Sequence, residues 1–87
     1  MKIIDRPIEI IAVFHPAELP MPYRFRFEDE RGERTTVQIN KVIGSRKDRT
    51  AGIDSLIFEC QSVIGGAEKR YELKYVIARC EWQLYKM

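Results

Sequence analysis

Histidine and cysteine are scarce in this chain, which has one His and two Cys among its 87 residues. A zinc site needs several such ligands at short spacing, and His15 with the two thiols does not supply them. The sequence also lacks the motifs of nucleophilic catalysis and the glycine-rich phosphate loop that precedes a helix. We therefore expect no metal, no cofactor and no enzymatic activity, and we expect His15 to have a surface or capping role.

Long apolar runs are absent as well. No stretch approaches the roughly 20 residues that span a bilayer, and the first residues lack the apolar segment and cleavage site of a secretory signal. With 45% hydrophobic and 32% charged residues, the composition is that of a globular chain. We expect a single domain over residues 1–87, located in the cytoplasm, with no membrane partner. The net charge of +2 is too small to indicate nucleic-acid binding by itself.

The chain does have a clear alternation of apolar and polar residues. From Tyr23 to Glu28, aromatic and charged side chains alternate without a break, which is typical of a half-buried strand. Residues 7–15 are apolar and rich in β-branched side chains, which predicts a first strand, and the prolines that follow exclude a helix. A third strand is predicted to end near Ile43. No segment has the periodicity of a helix of ordinary length.

Turn residues set the expected pairing of these strands. Gly32 completes a three-residue hairpin loop that places Glu28 opposite Arg34 and Phe25 opposite Val37. A two-residue loop would turn the apolar side chains of one strand to water. Later in the chain, adjacent glycines predict a two-residue hairpin, and a final turn is expected to be two residues long or one residue longer. The pairs predicted from these two turns are Cys60–Tyr71, Phe58–Leu73, Leu56–Tyr75, Ile77–Cys80, Tyr75–Trp82 and Leu73–Leu84.

These registers predict an all-β fold, a small antiparallel meander of five to six strands. A flat sheet would leave its apolar face uncovered, so we expect the meander to curl into a barrel or a strongly twisted sheet. The predicted core residues are Tyr23, Phe25, Phe27, Phe58, Leu73, Tyr75, Trp82 and Leu84.

Two pairs of side chains raise the question of chemistry. Cys60 and Cys80 are predicted on strands separated by another strand and roughly 20 Å apart, so we expect two buried, unbonded thiols. Glu59 and Glu72 are predicted to face each other on the outer surface, where like charges repel. Nearby cations would make this pair a salt-bridge lattice, whereas a raised pKa would make it a site for acid/base chemistry.

A polar connection is predicted over residues 44–52, combining glycine, hydroxyl and cationic side chains. It is either a solvated loop or a segment that contacts the backbone of nucleic acid, together with basic residues of the outer surface and an exposed tyrosine. The candidate nucleic-acid-binding residues are Arg24, Arg26, Arg46, Lys47, Arg49, Arg70, Lys74 and Tyr85.

Several apolar residues fall on the outward side of the predicted strands. Small soluble domains seldom expose such residues in one patch, so either the first strand or a second subunit is expected to cover them. The candidate interface residues are Ile11, Val13, Ile57, Val63 and Val76. They make a homo-oligomer or another protein the alternative partner.

Residues 6–10, 23–26, 71–73 and 82–85 resemble the corresponding segments of a group of short uncharacterised bacterial β proteins. Some members of that group are associated with error-prone DNA repair polymerases. The chain departs from the group at residues 44–52. The resemblance implies an accessory or binding role, so the expected function is a non-enzymatic module that binds nucleic acid. The alternative is an adaptor subunit that self-associates or docks on a larger enzyme.

Overall fold

The computed structural model describes all 87 residues and consists of eight strands and one short 3-10 turn. No helix in it has the length and apolar character needed to cross a membrane. The strands are β1 (Ile3–Pro7), β2 (Glu9–Val13), β3 (Met21–Glu28), β4 (Arg34–Gln38), β5 (Lys41–Thr50), β6 (Ile53–Ile64), β7 (Ala67–Val76) and β8 (Glu81–Lys86).

The strands form two antiparallel sheets, one with the order β1-β8-β7-β6-β5 and one with the order β2-β3-β4. Only Ile8 separates β1 from β2, and its N–H donates to the Trp82 carbonyl at 3.0 Å. Ile39 and Asn40 separate β4 from β5, and their N–H groups donate to carbonyls of different sheets, those of Tyr23 and Gln61. Two bent segments therefore pass from one sheet to the other. The all-β antiparallel fold is confirmed, and its closure into a barrel stays a prediction. The predicted count of five to six strands is wrong, because β1 was not anticipated and the bend at residues 39–40 divides the predicted third strand into β4 and β5.

The first predicted strand is wrong in its bounds. The chain breaks at Ile8 instead of running extended from residue 7 to residue 15, and the preceding residues form β1 against β8. The apolar pattern indicated extended structure but did not reveal that the strand changes sheets, because both halves bury side chains.

The β3–β4 hairpin has the predicted register, with Phe25 opposite Val37 and Glu28 opposite Arg34. Gly32 adopts a positive φ of 78°, and its N–H donates to the Asp29 carbonyl at 3.0 Å. This is the left-handed position that glycine fills without steric cost.

The two later hairpins also keep the predicted pairing. Gly65 and Gly66 both have positive φ, and the pairs that follow include Phe58–Leu73 and Cys60–Tyr71. The pairs Leu56–Tyr75, Tyr75–Trp82 and Leu73–Leu84 are present too.

The last turn is longer than predicted. Residues Ile77–Arg79 form the 3-10 turn and Cys80 takes a left-handed φ of 50°, so the loop has four residues and the Ile77–Cys80 pair does not form. Because one residue is added on each side, the facing pairs beyond the turn are unchanged. Cys80 is exposed, and the prediction that it is buried is wrong.

Residues 44–52 are not a loop. β5 extends to Thr50 and pairs with β6 from Gly44–Glu59 to Thr50–Ile53, and the turn is confined to Ala51 and Gly52. Backbone hydrogen bonding to β6 gives these polar residues extended structure without an apolar face. The longest predicted connection is thus the end of a hairpin.

The core contains nearly all the predicted aromatic and aliphatic residues. Phe58 and Tyr75 both pack against Trp82, with ring centroids 5.4 and 4.8 Å apart. Tyr23 is the exception, because a β-bulge in the β2–β3 pairing leaves it 49% exposed, and Phe27 is only half-buried. The buried cluster comprises Phe25, Val37, Ile39, Leu56, Phe58, Cys60, Tyr71, Leu73, Tyr75, Trp82 and Leu84.

Candidate nucleic-acid interface

The outward surface of β5, β6, β7 and β8 gathers cations from three strands. Side chains alternate along a strand, so the neighbours of inward Phe58, Cys60 and Leu73 point outward. The cross-strand rows on this surface are Lys41–Gln61–Arg70, Gly44–Glu59–Glu72–Lys86 and Arg46–Ile57–Lys74–Gln83. We call the set Lys41, Arg46, Arg70, Lys74, Lys86 and Tyr85 the basic face.

Two carboxylates lie opposite each other at the centre of this surface, as predicted: Glu59 on β6 and Glu72 on β7. Glu72 is buried, with 7% of its surface exposed. Arg46 donates from its two terminal nitrogens to the two Glu72 oxygens, at 3.3 and 3.2 Å. The bonded carboxylate raises the pKa of Arg46 above its ordinary value. The cation therefore comes from β5, and the bidentate pairing favours the salt-bridge interpretation of this carboxylate pair.

Tyr85 lies between two lysines at the β8 side of the basic face. The Lys74 and Lys86 ammonium groups are 4.9 and 5.0 Å from its ring centroid, within the range of cation–π attraction. A bulge in the β7–β8 pairing leaves Tyr85 without a partner on β7 and sets Lys86 opposite Glu72. The ring is half-buried, so the expectation of an exposed tyrosine is wrong.

Gly44 leaves a gap in the row that contains Glu59 and Glu72. A Cβ built at Gly44 would meet no atom within 4 Å, and Gly44 is not among the glycines with positive φ. A larger side chain is therefore sterically possible there. The position is open to solvent and lies directly next to the half-buried Glu59.

Arg24 and Arg26 lie on the smaller sheet, away from the basic face. Arg26 forms an ion pair with Glu9, and the hydrogen bond from Arg26 lowers the pKa of that carboxyl. Both arginines line a shallow cavity of about 380 Å³ with Ile11 and Thr36. They form a separate basic region on β3.

Lys47 and Arg49 also stand apart, because they alternate to the opposite side of β5 from Arg46. Arg49 approaches Asp54 at 3.7 Å across the end of the hairpin, and both side chains are mostly exposed. Of the eight candidate residues, the structure thus brings together Arg46, Arg70, Lys74 and Tyr85.

Lys41 and Lys86 were missed. Lys41 lies opposite Gln61 through the β5–β6 pairing, which was not predicted. By alternation Lys86 would share the inward side of Leu84, and only the β-bulge between Glu72 and Leu73 sets it opposite Glu72 on the outward side.

The predicted apolar interface is only partly available. Ile57 and Val76 are 1% and 4% exposed in the single chain, so their assignment to an exposed strip is wrong. Ile57 lies between Arg46 and Lys74, long side chains of the type that cover apolar neighbours. Val76 precedes the 3-10 turn, which packs against β6.

Three candidate interface residues are not buried. Ile11 and Val63 are 53% and 62% exposed, and Val13 is half-buried. They lie on β2 and β6, in different sheets.

The two thiols are free and differ in environment. Burial raises the pKa of Cys60 to about 12. His15 is exposed, and its carbonyl accepts a hydrogen bond from the Glu18 N–H at 3.3 Å. Neither residue type contributes to the basic face.

Comparison with protein-family models, with curated proteins and with solved structures finds no match for this chain. The relation to repair-associated bacterial proteins stays a prediction.

Proposed function

We propose that the chain is a non-enzymatic module that binds single-stranded nucleic acid through the basic face. The observation that carries this proposal is the meeting of cations from β5, β7 and β8 on one sheet surface. Lys and Arg side chains bind phosphates electrostatically, and aromatic rings on such surfaces stack with bases.

The cations of the basic face differ in whether they are free to bind phosphate. Arg46 is neutralised by Glu72, whereas Lys41, Arg70, Lys74 and Lys86 make no ion pair. Those four are the residues that we expect to contact phosphates. The central carboxylates oppose binding, so the affinity should be moderate and sensitive to salt.

The dimensions of the surface suit a single strand. Four adjacent strands at about 4.8 Å spacing give a sheet roughly 15 Å wide. With about four phosphates neutralised, the logarithm of the binding constant should fall against the logarithm of salt concentration with a slope of about −3.

Fluorescence anisotropy with labelled oligonucleotides tests the proposal. Gly44 offers a matched pair of variants: Gly44→Glu adds an anion to the open position and Gly44→Lys adds a cation there. The first should weaken binding and the second strengthen it, each by about threefold to tenfold at low salt. Arg70→Glu should weaken binding by about tenfold, while Arg31→Glu, an equal charge change in the β3–β4 turn, should have a smaller effect. Absence of binding at low salt would refute the proposal.

The remaining expectations are consistent with this function. We infer that the two sheets, joined at Ile8 and at residues 39–40, curl around the core as a barrel that stays open along the second half of β5 and keeps its binding surface on the outside. A reducing compartment such as the bacterial cytoplasm suits the free thiols of Cys60 and Cys80.

An adaptor subunit is the second candidate, and the exposure of Ile11, Phe14 and Val63 favours it. Exposed apolar side chains can mark protein contacts. A light-scattering mass of a single chain at high concentration would count against self-association.

A further inference from the structure

The outer edge of β5 is open. β5 is the last strand of the five-stranded sheet, and β6 is its only neighbour. Between Gly44 and Thr50, every pairing is with β6, and no backbone hydrogen bond joins these residues to another element. In an antiparallel pair, alternate residues direct their N–H and C=O groups away from the partner strand. This segment, the free edge, therefore presents unpaired backbone donors and acceptors to solvent.

The free edge is long and uncovered. Of its residues only Asp48 is half-buried, and the others are exposed. It contains no proline, and the irregularity in the pairing lies before it, between Val42 and Gly44. β4, which precedes it in the chain, has already ended at Gln38. Edges of this kind accept a further strand unless charge or shape prevents it.

The charges of the free edge select the type of strand. Arg46 is neutralised by Glu72. Of the other charged residues, Lys47 and Arg49, which share one side of β5, outnumber Asp48, so the segment is cationic. Asp54 lies 3.7 Å from Arg49 and offsets part of its charge, whereas Lys47 makes no ion pair. Two copies brought edge to edge would carry the same net charge and repel each other, whereas an acidic strand would be attracted.

We propose that the free edge of β5 takes up an extended acidic segment of a protein partner as an added strand. In this mode of recognition, main-chain hydrogen bonds supply affinity and alternate side chains supply specificity. Arg46 belongs to both the free edge and the basic face, but Lys47 and Arg49, which would meet the acidic side chains, point to the other side of β5. The proposal does not depend on nucleic-acid binding.

Three labelled peptides test it, each about eight residues long. One alternates Glu and Thr, the second has the same sequence with alternate backbone nitrogens methylated, and the third replaces Glu with Lys. N-methylation removes hydrogen-bond donors without changing charge. The first peptide should bind, the second should lose at least about tenfold in affinity, and the third should not bind. Equal binding of the first two would overturn the added strand.

Amide hydrogen exchange locates the contact. Binding of the Glu–Thr peptide should slow exchange at alternate amides between Gly44 and Thr50, and unchanged exchange there would overturn the assignment. Lys47→Glu should lower the affinity for the Glu–Thr peptide by about threefold to tenfold. Arg31→Glu is the matched control and should have a smaller effect. Light scattering that shows a dimer with these amides already protected would assign the edge to a second copy and overturn the proposal.

The two binding activities are separable. Arg70→Glu should lower the affinity for the oligonucleotide. It should leave the affinity for the acidic peptide unchanged, because Arg70 lies on β7 and not on the free edge. If the parent chain binds the acidic peptide but not the oligonucleotide, the proposed function is refuted and the added-strand proposal stands.

Discussion

Replacing Arg46 by Met tests the central ion pair of the basic face. The Glu72 side chain is 9% exposed and faces Glu59. Arg46 is the only cation within ion-pair distance of it, while Lys86 lies opposite it on β8 without an ion pair. Without the guanidinium, a carboxylate would stay buried opposite a second carboxylate. Breaking one side of a buried pair costs more than removing both sides, because the remaining charge has lost its partner and cannot be hydrated.

The magnitude follows from the exposure of the two side chains. Fully buried pairs lose about 3–5 kcal/mol when one partner is removed. Arg46 is 50% exposed, so water compensates part of the loss and we expect about 1–3 kcal/mol of destabilisation. For a domain of this size, that corresponds to a fall in Tm of roughly 5–20 °C. The double variant Arg46→Met/Glu72→Met, which removes both charges, should recover to within about 1 kcal/mol of the parent.

Urea unfolding of the parent, the two single variants and the double variant gives the coupling free energy between Arg46 and Glu72. Lys47→Met is the matched control: it removes a neighbouring cation of β5 that has no ion pair, and we expect a change below about 0.5 kcal/mol. A coupling free energy near zero would refute the reasoning, as would a loss in Arg46→Met no larger than in the control.

Three further predictions concern the thiols and the core. A thiol reagent near neutral pH should modify exposed Cys80 quickly and buried Cys60 slowly, and two equally fast thiols in the folded chain would contradict the structure. Tyr71→Phe should cost about 1–3 kcal/mol in urea unfolding, because it removes the 2.6 Å hydrogen bond to buried Ser62, while Tyr71→Phe/Ser62→Ala should recover part of the loss. Burial raises the pKa of Cys60 from 9.0 and that of Tyr71 from 10.0, each to about 12. The stabilisation that comes from keeping both groups neutral in the folded chain is therefore complete below pH 9.0, and the free energy of unfolding should fall as the pH rises towards 12. A free energy of unfolding that stays constant over that range would contradict this prediction.

The hairpin registers were predictable because local chemistry sets them. Gly32 requires a left-handed φ at one loop position, and Gly65 with Gly66 supplies two such residues in succession. Once a turn is fixed, alternation assigns every side chain to a face. The opposition of Glu59 and Glu72 follows from that counting alone.

The second half of β5 was not predictable in this way. From Ser45 to Thr50 the residues on both sides of the strand face solvent, so the sequence has no alternation of apolar and polar residues that would predict a strand there. Its extended structure depends on backbone pairing with β6, a partner that sequence periodicity does not reveal. Arg46 was consequently assigned to a loop, and its contact with Glu72 was not anticipated.

Other differences also arise from tertiary context. A bulge exposes Tyr23 although the alternation around it is regular. Ile57 and Val76 lie on the outward face but are buried locally. Alternation predicts the direction of a side chain, whereas its burial depends on the length of its neighbours and on where the next turn packs.

β5 takes part in both proposed surfaces, which gives the Arg46–Glu72 pair a consequence beyond stability. The pair ties β5 across β6 to β7 and also sets the charge at the centre of the basic face. If the pair orders β5, Arg46→Met should lower the affinity for the oligonucleotide and for the acidic peptide together. Arg70→Glu should lower mainly the affinity for the oligonucleotide, and Lys47→Glu mainly that for the peptide. Normal peptide affinity in Arg46→Met would show that pairing with β6 alone orders the free edge.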